Sequence, residues 1–426
     1  MNILFVNDSS CNPNWGDRAA ALTLRNMILQ TDCAIASVVT ENDLKYSNYK
    51  NLRTDGRIQE PHYKKRLNII IPPIIMKIIE RMKKYRRHTG NQIIPDKAGD
   101  FDRYAENAIL NKDSYYTIVE GIQKCDLVII HGNGAMRLNK VIPRSMLFIA
   151  YISKKYFNKP TILINHTADL SHPELFKIAE KVYPILDDVV FRDVISLEKY
   201  SGLWRSRYAP DTAFILEPLE KKVWLKVVNR HNYFDVWPDE ANFNPSKSYI
   251  CIGYSSIYGG TTIRNYNADH GYVNLISHIL KVYDGQIVLV VSDKTDEKHM
   301  RLLSKHFNLP LISLNTPVQQ AVDIVGNADA YIGGRWHPSI FAFRGGTPVV
   351  PISAHTFKIE ALIKASPLPS IVYDGLNLEA EKYGIGDQLI EYIQQGDNLR
   401  TKIKSWANEE AKRSWENISY LNTCKI

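Results

Sequence analysis

Residues 328–348 read ADAYIGGRWHPSIFAFRGGTP, and this stretch decides the fold. An apolar run, Ala330-Tyr331-Ile332, ends at Gly333-Gly334, and an apolar, small-residue pattern resumes after Pro338. The pattern predicts a buried strand, a sharp glycine turn and a helix whose first position is Pro338, where a missing N–H costs nothing. Strand followed by helix is the repeating unit of α/β proteins. It places Arg335 and His337 at a helix N-terminus, where backbone N–H groups and the helix dipole favour an anion. Arg335 adds a forked donor for carboxylate or phosphate, and His337 can move a proton near neutral pH.

Working outward, the same rhythm recurs. Strand candidates fall at 3–6, 34–39, 127–130, 161–165 and 189–191, then at 249–253, 287–291, 311–314, 330–332 and 348–352. Short apolar runs of this kind suit parallel strands buried on both faces. With 426 residues, two domains are expected. The fold class predicted is α/β, with two Rossmann-like domains facing a central cleft and the site at the carboxyl ends of the strands. Residues 1–218 form the first domain, the aromatic and Pro-containing stretch 219–247 the connection, and 248–385 the second domain. Residues 386–426 read as helices returning across the junction.

Composition narrows the function classes. An apolar share of 45% with 23% charged residues is that of a globular protein in water. The five cysteines are scattered without a CxxC pair, which argues against a disulfide framework or a cysteine zinc site and fits a reducing cytoplasm. The opening MNILFVNDSS reads as a strand and not as a secretion leader, and no apolar run of 18 residues suggests a membrane span. Neither HExxH nor a phosphate-loop GxxxxGK occurs, so no metal and no cofactor is expected.

The charge is local. Between Lys64 and His88 stand nine Lys/Arg against one acid, Glu80, so this segment carries the chain's whole excess of +8. After Pro72-Pro73, Ile74, Ile75, Ile78, Ile79, Met82 and Tyr85 recur at helical spacing. The pattern predicts a basic amphipathic insertion able to lie on an anionic membrane surface. A single aromatic, Tyr85, speaks against nucleic acid. The expected location is cytoplasmic, peripheral at the inner membrane face.

Four stretches in order carry a resemblance. They are Asn14-Trp15-Gly16-Asp17, then Phe191-Arg192-Asp193 with Ser196, then Ala209-Pro210-Asp211-Thr212-Ala213, and finally Arg335-Trp336-His337 with Gly345-Gly346-Thr347-Pro348. Together the set resembles the polysaccharide pyruvyl transferase family, whose Arg-x-His signature is its most specific element. The resemblance implies a glycosyltransferase-B-like architecture and a ketal-forming transferase. Phosphoenolpyruvate would be the co-substrate, and the acceptor a sugar of a cell-surface polysaccharide or its lipid-linked precursor. Catalytic candidates are then His337 as acid, with Asp17 and His166 for the hydroxyl proton. Substrate-binding candidates are Arg335, Arg192, Gly132, Gly134, Lys358 and Asn14. The chain departs from the family at two glycine-rich turns, which here read His131-Gly132-Asn133-Gly134 and Asn165-His166-Thr167-Ala168-Asp169.

The residues alone leave blander readings open. Arg192 can bridge to Asp193, Asp17 can cap a helix, and His166 can be structural. Gly132 and Gly134 can form a plain turn, and Lys358 can be merely solvated. The competing function is a nucleotide-sugar-dependent glycosyltransferase on the same scaffold, which also needs an Arg and a helix N-terminus for its diphosphate.

Overall fold

The computed structural model describes residues 1–46, 93–110, 115–228, 233, 236–238, 242–259 and 268–423. The basic segment 64–88 lies outside the described residues. Among those described, no helix is long and apolar enough to cross a membrane.

Two six-stranded sheets organise the chain. The first is built from Asn2–Asp8 (β1), Ala34–Thr40 (β2), Leu127–Arg137 (β3), Thr161–Asp169 (β4), Asp188–Phe191 (β5) and Arg207–Tyr208 (β6), in the order β2-β1-β3-β4-β5-β6. The second comprises Val236–Trp237 (β7), Tyr249–Ser255 (β8), Gln286–Val290 (β9), Leu311–Ile312 (β10), Tyr331–Gly334 (β11) and Val349–Pro351 (β12), in the order β12-β11-β8-β9-β10-β7. Its pairs are parallel except β7, which runs antiparallel on β10. These are two Rossmann-like sheets.

Burial explains why these runs become strands. Every residue of β8, YICIGYS, is buried, as a strand covered on both faces requires. By contrast β2, at the sheet edge, alternates between exposed and half-buried positions over its first five residues. Each fully sealed Val, Leu or Ile adds about 1.5–3 kcal/mol, so the central strands dominate the core.

The topology places a site. Counting from β8, the second sheet reads fifth, fourth, first, second, third, so the winding reverses between β11 and β8. Ligands of such sheets bind beyond the carboxyl ends of the strands at that reversal. Arg335 follows β11 directly.

The chain divides into two compact units. One is Met1–Asp8, Asp32–Leu163 and Ala168–Val189, and the other Ser9–Thr31, Ile164–Thr167 and Val190–Ile426. The stretch 219–247, expected as a connection, contains the helix Lys221–Val228 and strand β7. The long C-terminal helix Leu378–Arg413, interrupted at Gly396 (φ 54°, ψ −136°), belongs to the second unit.

Three local expectations are corrected. The motif Gly132 to Gly134 is not a turn but lies inside β3, where Asn133 (φ 47°) takes the left-handed backbone. Likewise 165–169 continue β4, with Asn165 at φ 51°. Asparagine tolerates that conformation, so each strand bends without ending. Gly333 and Gly334 are strand residues as well, required by close packing. A Cβ on Gly333 would lie 2.4 Å from Tyr331 Oη, and one on Gly334 would lie 2.4 Å from Ser255 Oγ and 2.8 Å from the Ile352 carbonyl. The helix therefore begins at Trp336, with Pro338 third in its first turn.

Candidate functional site

The site grows from the N-terminus of the helix Trp336–Arg344. Its N-cap is Arg335, whose side chain makes no capping bond. Arg335 turns instead to the N-terminus of the helix Lys294–Phe307, which follows β9. Its Nε donates to Asp296 Oδ2 at 3.0 Å, and Nη2 donates to Thr295 Oγ1 at 2.9 Å and to Asp296 Oδ1. Nη1 stands 3.5 Å from Asp293 Oδ2. One guanidinium thus faces two carboxylates. Burial would lower the Arg335 pKa, but Asp296 and Asp293 outweigh it and raise it. Burial likewise dominates at Asp296, whose carboxyl is pushed up to about 6 against the pull of Arg335. At Asp293 the balance tips the other way. Burial there is outweighed by Arg335, the Thr295 N–H and hydroxyl, and Asn14, so the pKa is lowered.

The helix Trp15–Leu29 enters the same unit by its first turn. Asn14 is its N-cap, its Oδ1 accepting from the N–H groups of Gly16 (2.9 Å) and Asp17 (3.1 Å), while its Nδ2 donates to Asp293 Oδ2 at 2.6 Å. Trp15 is fully buried and donates Nε1 to the Leu314 carbonyl at 3.0 Å. Gly16 lies against the His337 ring, so that a Cβ there would sit 1.8 Å from Nδ1. Only glycine leaves room for the imidazole.

On the other side of His337 lies a sealed cluster. Arg192 and Asp211 are 3% and 0% exposed, and Arg192 Nη1 donates to Asp211 Oδ2 at 2.7 Å. The same oxygen accepts Trp336 Nε1 at 2.9 Å and stands 3.5 Å from His337 Nε2. Arg192 Nε donates to Thr167 Oγ1 at 3.0 Å, and its guanidinium stacks 4.9 Å from the Trp336 ring. Burial alone would raise the Asp211 carboxyl, but Arg192, His337 and the Ala213 N–H hold it well below the usual carboxylate range.

The structure thus brings Arg192, Arg335, His337, Asn14 and Asp17 into one unit around two helix N-termini. It corrects several assignments. Arg192 pairs with Asp211, while Asp193 caps the helix Val194–Tyr200 through the Ser196 N–H at 2.7 Å. Asn14, and not Asp17, caps the first helix, which gives Asn14 a structural place; Asp17 is third in that helix. His166 is fully buried, with Nδ1 on the Val190 carbonyl at 2.9 Å and its ring 4.7 Å from that of Phe191, the setting of a core histidine. Gly132 and Gly134 belong to the first unit, and Lys358 opens the helix Lys358–Ala365 after β12.

Sequence reasoning did not single out Asp211, Asp293, Asp296 or Trp336 as site residues. Ser292-Asp293-Lys294-Thr295-Asp296 after a strand is a helix-cap pattern, and it hides two acids that meet a distant arginine. Among the described residues no three His, Cys, Asp or Glu side chains are grouped to hold a metal.

Several solved structures share this fold. UDP-GlcNAc 2-epimerase from Methanocaldococcus jannaschii is 11% identical, covering 99% of this chain and 100% of its own, with a TM-score of 0.54. MnaA of S. aureus in complex with UDP is 12% identical over 100% and 96%, with a TM-score of 0.52. Spinosyn rhamnosyltransferase SpnG with spinosyn aglycone is 12% identical over 99% and 100%, with a TM-score of 0.51. At such identities the likeness is one of fold: two Rossmann-like domains of the glycosyltransferase-B type. No curated protein matches the chain. A family model for polysaccharide pyruvyl transferases matches residues 28–356, and the chain belongs to that family of transferases.

Proposed function

We propose that the protein transfers the pyruvyl group of phosphoenolpyruvate to a sugar of a cell-surface polysaccharide or its lipid-linked precursor, forming a pyruvate ketal. The observation that carries this reading is His337. It stands at a helix N-terminus that no side chain caps, with Nε2 3.5 Å from a buried carboxylate, inside the span that matches the family. Imidazolium gives its proton to the methylene carbon of the donor, C2 becomes electrophilic, and a sugar hydroxyl attacks it. Phosphate leaves with its bonding electrons, and a second hydroxyl closes the ketal. Of the two hydroxyl protons released, one restores His337 and one stays with phosphate. Asp17 is the remaining candidate for receiving a hydroxyl proton.

Donor anions are met by the N–H groups of Trp336 and His337 with the helix dipole behind them. Arg335 contributes by exchanging its 3.5 Å contact with Asp293 for the donor. Arg192 acts from beneath, through Trp336. Lys358 completes the proposed binding set, and no further cofactor is used. Acceptor chemistry and the basic segment 64–88 together support work at the inner membrane face.

The test is thermal. A ligand that binds only the folded state at 100 times its Kd stabilises it by about 2.7 kcal/mol. Phosphoenolpyruvate at millimolar concentration is expected to raise the melting temperature, and UDP-sugars to leave it unchanged. The reverse pattern overturns the reading in favour of a nucleotide-sugar transferase.

A further inference from the structure

Resting on the transferase reading, we propose that Asp211 is a positioning residue. It holds the His337 imidazole with a proton on Nε2, so that Nδ1 is the nitrogen that exchanges the catalytic proton. Asp211 is held firmly in place. Its Oδ2 takes Arg192 at 2.7 Å and Trp336 at 2.9 Å, and its Oδ1 takes the Ala213 N–H at 2.8 Å. The backbone around it is tied as well: Ser414 Oγ donates to the Asp211 carbonyl at 3.0 Å and Asn417 Nδ2 to the Pro210 carbonyl at 2.8 Å. Such a carboxylate cannot swing away from the ring.

An ionised carboxylate accepts hydrogen bonds and cannot donate them. The ring nitrogen facing it, Nε2 at 3.5 Å, is therefore assigned the held proton, which leaves Nδ1 to exchange the catalytic one. Among the described residues Nε2 is buried and has no hydrogen-bond partner, so Asp211 acts on it through the 3.5 Å ion-pair contact. On the opposite edge Nδ1 stays accessible because Gly16 carries no side chain, a Cβ there approaching Nδ1 to 1.8 Å. His337 is thus gripped from two sides by chain segments that sequence places far apart. In the proposed first step the Nδ1–H bond breaks with its electron pair left on nitrogen. The new C3–H bond takes the π pair of the donor, and the sugar oxygen supplies electrons to C2.

The arrangement differs from a purely structural ion pair in one measurable way, the tautomer of a single histidine. The full chain labelled with 15N-histidine would be followed by side-chain NMR through the imidazole titration, with the His337→Ala spectrum assigning the signal. The expected result is a neutral His337 carrying its proton on Nε2. In Asp211→Asn the amide can donate as well as accept, so the ring is expected to shift toward the Nδ1–H form. With it kcat should fall about 10²-fold while KM for phosphoenolpyruvate changes less than about threefold. Where Asp211→Asn does not fold, Arg192→Gln combined with it removes both buried charges and is read by the same signal. A wild-type His337 with its proton on Nδ1, or an Asp211→Asn enzyme with unchanged kcat, overturns the proposal. A wild type with the Nε2–H ring that turns over no phosphoenolpyruvate sinks the donor assignment and leaves the Asp211–His337 pairing standing.

Discussion

The two guanidinium–carboxylate clusters flanking His337 look alike on paper and differ in construction. Arg192 pairs with Asp211, both side chains sealed at 2% and 0% exposure under the Trp336 ring, and the buried Asp193 carboxylate also lies in its field. Arg335 meets two, Asp296 and Asp293, and the second is 23% exposed. The first cluster is sealed; the second holds one guanidinium against two carboxylates and opens toward water. Burial makes the first a fixture of the framework. Excess acid makes the second adjustable, because an incoming anion gains most where one acid can be displaced or protonated.

Breaking the sealed pair should have the largest effect. Asp211→Ala strands a buried guanidinium and is expected to cost about 3–5 kcal/mol of stability in denaturant unfolding. Asp296→Asn leaves Arg335 its Asp293 partner and should cost far less. Equal losses would erase the distinction between the clusters. Next comes chemistry between them: His337→Ala is expected to lower kcat by about 10²–10⁴-fold while phosphoenolpyruvate still binds in calorimetry. Retained turnover would remove His337 from the mechanism.

The open cluster has its own signature in pH. Asp296 is raised from 3.8 to about 6, with burial the leading cause. Between those values the folded chain keeps a proton that the unfolded chain has lost. Its contribution is therefore complete below pH 3.8 and disappears as pH rises through 6, at most about 3 kcal/mol. Unfolding free energies measured across pH 4–7 should show this decline, and Asp296→Asn should flatten it. A slope unchanged in that variant would assign the effect elsewhere. The smallest expected effect sharpens the geometry: Gly16→Ala must move the His337 ring and should cost about 1–3 kcal/mol. Its kcat should fall more than its stability alone explains. Normal activity in the Gly16→Ala enzyme would mean the ring has room to spare.

Much of this was legible in the sequence. All ten strand candidates exist, because continuous Val/Ile runs have few other places to be buried. The two strands that went unread, β6 and β7, have two residues each and carry no period to read. The strand ends were misplaced where asparagine and glycine suggested turns, because chain bending and chain reversal use the same residues. Arg335 and His337 were placed at a helix mouth correctly, since strand, glycine and proline are local signals. Their partners were not found. Asp211, Asp293 and Asp296 lie 19 to 126 residues from the cations they meet, and nothing local distinguishes a capping acid from a paired one. Local chemistry could be read, but long-range pairing could not.

The short segment Ser9–Thr31 has a consequence for how the protein comes into being. It is flanked in sequence by strands of the first unit yet belongs to the second, where Trp15 bonds to Leu314 across 299 residues. Closing so wide a loop is slow, because the entropy is lost before the contact rewards it. During synthesis the imidazole emerges some three hundred residues after the Gly16 slot that receives it. A ribosome-bound fragment can therefore hold a finished first sheet and still lack the His337 cluster. The surroundings of His337 are complete only when these two distant segments have met.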